Sequence, residues 1–155
     1  MNAISLLELF NHDIGTAEQL LELIEAEYQA LSEHDLPGLQ QILADKQPLL
    51  VTLEQHGKTR TQTLLQLGLS ADRAGLQSLA GRSDQGHELL AASDRLSELL
   101  ESCQAANLRN GRIIRSSQKS TANMLGILRG GETPSLYDSS GSTAKIGNKR
   151  PLSQA

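Results

Sequence analysis

Apolar side chains at the start of the chain recur at alternating steps of four and three residues. This spacing averages 3.5 residues, the repeat of a helix that packs lengthwise against other helices. The positions are Ala3, Leu7, Phe10, Ile14, Ala17, Leu21, Ile24, Tyr28 and Leu31. The pattern therefore predicts one long helix over residues 3–33 with a continuous apolar face.

A second helix is predicted from about residue 36 to 67. Asp35 can cap its first turn, Pro37 is tolerated there, and Gly68 ends it. Its predicted buried face comprises Leu36, Leu39, Leu43, Lys46, Leu50, Leu53, Gly57, Arg60, Leu64 and Leu67. The stems of Lys46 and Arg60 can reach solvent along the edge of this face, or the two cations can pair with helix-one carboxylates and set the register. The pattern leaves both readings open.

A short helix is predicted over residues 71–80, capped by Ser70, and a third long helix from about 86 to 129. The predicted buried face of this third long helix comprises Leu89, Ala92, Leu96, Leu99, Cys103, Ala106, Asn110, Ile113, Ser117, Ser120, Met124 and Ile127. The first half is leucine-rich, whereas the second half carries polar and small residues at core positions. Such a loss of apolar residues predicts a weaker or partner-dependent end.

The fold class predicted is all-α, an elongated antiparallel bundle of three long helices plus a short connecting helix. The chain of 155 residues has no Trp and only one Phe, and leucine supplies most of its apolar surface. That composition favours helices over sheets. Residues 131–155 are rich in Gly, Ser, Thr and Lys and keep no period, so we expect a poorly structured tail. The predicted domains are a helical bundle, 1–130, and a flexible partner-binding tail, 131–155.

Charge and cysteine content favour a cytoplasmic protein without stable membrane insertion. The net charge is −4, and the single cysteine, Cys103, excludes an internal disulfide framework. We expect no secretory leader, because the first residues lack a basic region and Glu8 interrupts their apolar run, and no apolar run approaches the ~18 residues of a membrane span. Cys103 lies on the apolar face of the last helix between Leu99 and Ala106, so we expect it to be a small buried hydrophobic residue. A reactive thiol would need a basic neighbour, and the nearest basic residue in sequence is Arg109.

Catalytic and metal-binding motifs are missing from the sequence, which predicts that the protein is not an enzyme and has no cofactor. It contains no Gly-rich phosphate loop, no G-x-S-x-G and no H-E-x-x-H. The four histidines, His12, His34, His56 and His87, share no ligand spacing. We expect them to be exposed or capping residues and predict no metal site.

A basic cluster lies in the second half of the last helix, with no acid between Glu101 and Glu132. Its members are Arg109, Arg112, Arg115, Lys119 and Arg129. Nucleic-acid binding is one interpretation, but the cluster has no aromatic residues for stacking. The favoured interpretation is a charge match with acids of the first helix, namely Glu22, Glu25, Glu27, Glu33 and Asp35. Under this interpretation nucleic acid is not a partner.

Three residues in one turn lower the helix propensity of the last helix, namely Asn107, Asn110 and Gly111. They can allow a close helix crossing with buried amides bonded across it. A notch into which a partner docks is the alternative.

Three segments in this order resemble the FlgN family of flagellar export chaperones. They are the leucine-rich stretch Leu39–Leu65, the motif N-x-x-N-G-x-x-I at residues 107–114, and the motif L-Y-x-x-x-G at residues 136–141. With helix one, the resemblance covers nearly the whole chain. It implies a chaperone without ATPase activity that binds the C-terminal helical segments of the hook-associated proteins FlgK and FlgL. It further implies delivery to the export-gate component FlhA, with Tyr137 matching the family's docking tyrosine.

Substrate binding is accordingly predicted where the apolar repeat fails. The residues predicted to bind substrate protein are Asn107, Asn110, Gly111, Ile113, Ile114, Met124, Ile127, Leu136, Ile146 and Leu152. Tyr137 is predicted to dock on the export gate. Two alternatives of other classes remain at this point. One is a self-associating coiled-coil or adaptor protein, which would form a homodimer. The other is a nucleic-acid-binding regulator using the Arg109–Arg129 face.

Overall fold

A computed structural model of the chain describes residues 3–128, in which all regular structure is α-helix. The helices are α1 (Ala3–Ser32), α2 (Leu36–Gln66), α3 (Arg73–Ala80) and α4 (Gly86–Leu128). The predicted three long helices and short connecting helix are confirmed, with boundaries within a few residues of those expected. The predicted tail, 131–155, lies outside the described residues.

The chain divides into two units, residues 1–108 and 109–155. The first unit contains α1, α2, α3 and α4 as far as Leu108. The second contains the rest of α4, described to Leu128. The packing described next belongs to the first unit.

A tight turn joins α1 to α2. His34 adopts the left-handed conformation, with φ of 56°, and the backbone N–H of Asp35 donates to the carbonyl of Ala30 at 2.9 Å. The Asp35 carboxylate then accepts a hydrogen bond from the N–H of Gly38 at 3.0 Å, satisfying a donor that the first turn leaves free. The predicted cap at Asp35 is confirmed.

The cap of α3 differs from the prediction, because Asp72 rather than Ser70 caps the helix. The Asp72 carboxylate accepts from the N–H of Gly75 at 3.0 Å, and the Ser70 hydroxyl donates to the same carboxylate at 2.6 Å. These hydrogen bonds, that of Ser70 first, lower the pKa of Asp72 below its usual value. Ser70 therefore supports the cap without forming it. α4 begins at Gly86, where a Cβ would overlap the carbonyl oxygen of Ala80.

The core of the first unit consists of two clusters of buried side chains. The larger contains Leu6, Phe10, Ala17, Leu64, Leu76, Leu79, Leu89, Ala92, Leu96 and Leu99. The smaller contains Leu20, Ile24, Cys103 and Ala106, with Leu49 and Leu53 packed against it. α1 and α4 therefore run in the same direction, and α2 runs opposite to both. Each fully buried leucine contributes about 1.5–3 kcal/mol of transfer free energy.

The buried face of α4 follows the predicted positions through the first unit. Leu89, Ala92, Leu96, Leu99, Cys103 and Ala106 are all buried. Beyond the unit boundary Asn110 is buried, Ile113 is half-buried and Ser117 is exposed. The apolar repeat thus stops filling a core where the sequence predicts that it weakens.

The buried face of α2 matches six of the ten predicted positions, including Gly57 and Leu64, and differs at Leu36, Leu43, Leu50 and Leu67, which are exposed. The lining positions follow steps of three and four and comprise Leu39, Ile42, Lys46, Leu49, Leu53, His56, Arg60 and Thr63, all buried or half-buried. Leu36, Leu43 and Leu50, which the sequence analysis placed on this face, are 62%, 48% and 40% exposed. Ile42-Leu43 and Leu49-Leu50 are apolar pairs, so either member satisfies the repeat, and packing against α1 selects the first.

Two buried polar pairs set the register between α1 and α2. Lys46 Nζ lies 3.4 Å from the Glu27 carboxylate, and Arg60 Nη1 donates to the fully buried carboxylate of Asp13. Fourteen residues separate the two acids, and fourteen separate the two cations. Of the two interpretations of Lys46 and Arg60, the structure confirms pairing with helix-one carboxylates. Asp13 and Glu27 are consequently core residues, which the sequence analysis did not anticipate.

We expect Arg60→Met to lower the free energy of unfolding by about 3 kcal/mol, because the substitution leaves the Asp13 carboxylate buried without its cation. Arg73→Met is the matched control, since Arg73 also pairs with an aspartate, Asp94, but both side chains are about half exposed. The control should lose less than about 1 kcal/mol. Urea unfolding of the three proteins at pH 7 measures both changes, and equal losses would contradict the assigned role of the Asp13 pair.

Candidate functional site

The residues predicted to bind substrate protein fall into three groups in the structure. Those with described surroundings are Asn107 and Ile114, which are exposed, Gly111 and Ile113, which are half-buried, and Asn110, which is 2% exposed. Met124 and Ile127 lie within α4, whereas Leu136, Tyr137, Ile146 and Leu152 lie outside the described residues. The described part of the site is therefore one segment of α4.

Asn110 is held by its neighbour in the second unit. The Nε and Nη2 atoms of Arg109 each donate to Asn110 Oδ1, both at 3.1 Å. A charged donor pair on one amide oxygen fixes the orientation of the buried amide. A Cβ built on Gly111 would meet only the Arg115 guanidinium, at 3.4 Å. Within the described residues nothing at Gly111 demands a glycine, so the predicted close crossing is not supported there.

The basic cluster of α4 is largely solvent-facing. Arg112, Arg115 and Lys119 are exposed, Arg109 is half-buried, and Arg129 lies outside the described residues. The acids proposed as its counterparts lie in the other unit, so the charge match stays a prediction. One of those acids, Glu27, is already buried and bonded to Lys46.

An exposed row of leucines on α2 is a candidate interaction surface that the sequence analysis missed. Leu36, Leu43 and Leu50, which we call the α2 leucine stripe, recur at intervals of seven residues and are all exposed. Val51 extends the stripe and is 47% exposed. The signal was the doubling of apolar residues in α2, which supplies two apolar faces to one helix. A stripe with this spacing has the geometry that a partner helix requires.

Polar side chains of α1 and α2 converge around the buried carboxylate of Asp13. His56 Nδ1 lies 2.5 Å from Asp13 Oδ1, and His12 Nδ1 lies 3.8 Å from the same oxygen. Arg60 donates to the other oxygen, and its guanidinium lies 5.0 Å from the centroid of the Phe10 ring, within cation–π range. The prediction of exposed or capping histidines is confirmed for His12, His34 and His87, which are exposed, but not for His56, which is half-buried in this cluster.

Cys103 is a buried thiol in the smaller core cluster, as predicted. Its side chain donates to the carbonyl oxygen of Ala17 at 3.7 Å, and the residue is 4% exposed. Burial raises the pKa of the Cys103 thiol, an effect that the charge of Lys46 partly opposes. The thiol is therefore protonated and shielded at neutral pH, which is unsuited to nucleophilic chemistry.

Together these features define an all-helical protein with apolar surface on α2 and an under-filled end on α4. No helix within residues 3–128 has the length and apolar content needed to cross a membrane. A family model described as FlgN protein matches residues 1–145, and the chain belongs to the FlgN family. None of the curated proteins matches the chain.

A solved structure supports the same assignment. It is the 1.48 Å crystal structure of a putative flagella synthesis protein FlgN from Pseudomonas aeruginosa, with a TM-score of 0.69. The two sequences are 52% identical over 80% of this chain and 95% of that one.

We expect Cys103 in the folded protein to react with a thiol reagent such as DTNB at pH 8 on the order of 100-fold more slowly than in urea, because the reactive thiolate is disfavoured by burial. The absorbance of the aromatic thiolate that DTNB releases measures the reaction rate in the folded protein and in urea. Rapid stoichiometric labelling of the folded protein would contradict the assignment of Cys103 to the core.

Proposed function

We propose that this protein acts in flagellum assembly as a cytoplasmic export chaperone. In this role it binds the C-terminal helical segments of the hook-associated proteins FlgK and FlgL and delivers them to the export-gate component FlhA. The observation that carries the proposal is the match to the FlgN family over residues 1–145. The similarity to the putative flagella synthesis protein FlgN of Pseudomonas aeruginosa, at 52% identity, adds support.

The described part of α4 has surface suited to a helical substrate. In the second unit Ile114 is 39% exposed, and Ile113 beside it is half-buried. An amphipathic helix docks on a partner by placing side chains at steps of three, four and seven residues into such a surface. Among the described residues, Asn110 is the last buried side chain of α4. A substrate helix can therefore cover apolar side chains beyond it without displacing a packed core.

The segment that follows α4 supplies the second part of the proposed site. Leu136, Ile146 and Leu152 are sparse apolar anchors in a sequence otherwise rich in small and polar residues. Ordering such a segment on a partner offsets part of the binding free energy. A chaperone that must release its substrate at the export gate needs this moderation of affinity.

The proposed role is one of binding and transfer, and it requires no catalytic chemistry. Recognition of an apolar helix depends on buried area and shape. Release follows when FlhA competes for the complex. In this role the protein is not an enzyme.

We expect deletion of residues 131–155 to abolish co-purification of FlgK and FlgL C-terminal segments, because the deletion removes the anchors that cover the bound helix. Far-UV circular dichroism should show nearly unchanged helical signal, since α1 to α4 all end before residue 131.

A matched variant locates the site if the deletion leaves binding intact. Leu43→Gln combined with Leu50→Gln removes the centre of the α2 leucine stripe without touching α4, and we expect it to bind substrate like the unmodified protein. Binding that survives the deletion and is lost in this double variant would contradict a site in the tail and place it on α2.

Tyr137→Ala should weaken binding to the cytosolic domain of FlhA by about tenfold or more while leaving affinity for the FlgK segment within about twofold, because a lone aromatic anchor carries a large share of a small interface. Calorimetric titration with each partner measures the two affinities. Tyr137→Phe is the conservative control and should retain most of the gate affinity. Equal affinity of wild type and Tyr137→Ala for FlhA would exclude the docking role.

A further inference from the structure

Three side chains with metal-binding donor atoms meet where α1 packs against α2. They are His12 and Asp13 from α1 and His56 from α2, and one donor atom from each lies within 4.8 Å of the others. The two imidazole rings face each other edge to face, with centroids 5.2 Å apart. This convergence unites residues that lie 43 positions apart in sequence, which explains why ligand spacing gave no signal.

We propose that His12, Asp13 and His56 bind a single divalent transition-metal ion of the zinc, cobalt or nickel class. Two imidazoles and one carboxylate form a donor set that suits these ions. In a tetrahedral site with bonds of about 2.0–2.2 Å, neighbouring donor atoms lie roughly 3.3–3.5 Å apart. The His56–Asp13 and His12–Asp13 distances of 2.5 and 3.8 Å lie on either side of that range, and the set as a whole spans up to 4.8 Å. Metal binding therefore replaces the His56–Asp13 hydrogen bond and requires side-chain rotations that equalise these distances.

The carboxylate is already oriented for this task. Asp13 is fully buried, and Arg60 donates to its Oδ2 atom, which leaves Oδ1 directed at both imidazoles. Metal-ligating carboxylates are commonly held by such a hydrogen bond on the oxygen that does not bind the ion. The arginine therefore fixes the ligand in place, while its own charge stays on the far side of the carboxylate.

The charge of Arg60 opposes an incoming cation but does not prevent binding. Three neutral imidazoles suffice to hold zinc, so a site without net negative charge is competent. The guanidinium is balanced by Asp13, where it donates to Oδ2 rather than to the Oδ1 atom that faces the imidazoles, and it lies 5.0 Å from the centroid of the Phe10 ring. We expect the charge of Arg60 to lower the affinity for the metal ion, relative to a site without a neighbouring cation, but not to abolish binding.

An ion can reach this cluster from solvent. The side chain of His12 is 63% exposed and that of His56 is 27% exposed, whereas Asp13 is closed to solvent. Water can complete the coordination on the open side. Because its ligands come from both helices, the ion would join α1 to α2 beside the Asp13–Arg60 pair.

The test is titration of the untagged, full-length protein with ZnCl₂ by calorimetry and with CoCl₂ by visible absorption. We expect one ion per chain with a dissociation constant below about 100 µM, and cobalt bands of the intensity typical of tetrahedral nitrogen and oxygen coordination. His12→Gln should weaken binding about tenfold or more, and its thermal midpoint without metal should stay unchanged because His12 is an exposed side chain.

Two controls make every outcome decisive. His34→Gln and His87→Gln alter exposed histidines outside the cluster and should bind like the unmodified protein. Lack of binding by the unmodified protein at about 1 mM zinc would overturn the proposal. Undiminished binding by His12→Gln, or by a folded His56→Gln, would do the same, as would loss of binding only in a Cys103→Ser variant. If His56→Gln fails to fold, His12→Gln alone decides.

Discussion

The arrangement of the first unit depends on the pairing of buried charges between α1 and α2. Leucine-rich helices can slide past each other by one heptad and still bury apolar surface. Here such a shift would place the Glu27 carboxylate opposite Leu53 or Leu39, and it would part Asp13 from Arg60. A carboxylate left in the core without its cation costs about 3–5 kcal/mol. In the observed register both acids meet their cations, and Leu20 packs with Leu53 midway between them.

The polar pairs therefore specify the structure more than they stabilise it. Replacing a buried ion pair by well-packed apolar residues is often neutral or favourable for stability. An apolar pair, however, adds no energetic cost to an alignment of α1 and α2 that is shifted by one heptad. The apolar core supplies the driving force, and the two pairs select one alignment among several that the core alone would accept. Lys46 and Arg60 belong both to the predicted face of α2 and to the observed one, so the choice of Ile42 and Leu49 over Leu43 and Leu50 comes from apolar packing and leaves the leucine stripe exposed.

The sequence predicted the helices better than it predicted their faces. The buried side of α4 could be predicted correctly because Leu96 and Cys103 have polar neighbours on both sides, which identifies the face despite the apolar pairs Leu89-Leu90 and Leu99-Leu100. α2 offers apolar residues in adjacent pairs, so periodicity could not choose between them. Asp13 and Glu27 escaped notice because acids on a helix are ordinarily solvated, and nothing local marks a carboxylate that will be buried by a distant cation. His56 was missed for the same reason, since its partner lies on another helix.

Resemblance and geometry contributed different parts of the functional reading. The family assignment covers all the described residues, whereas the structure describes the surroundings of only those predicted substrate-binding residues that lie in one segment of α4. Within that segment Ile114 is exposed, whereas Asn110 is buried and its amide oxygen accepts hydrogen bonds from Arg109, as expected of a structural residue. The residues of a sequence motif can therefore include both buried structural residues and exposed residues available to a partner, and the burial of each side chain distinguishes them.

The short turn at His34 has a consequence for how the chain folds. It brings α1 and α2 together as a helical hairpin, in which Glu27 and Lys46 close a loop of only 19 residues, followed by Asp13 and Arg60 at 47. Loop-closure entropy grows with the logarithm of length, so contacts nearest the turn form at the smallest entropic cost. Pairing can then spread outward from the turn, each contact shortening the loop left for the next. The hairpin is complete in the chain before α4 is synthesised, and it presents α4 with a template whose alignment is already chosen.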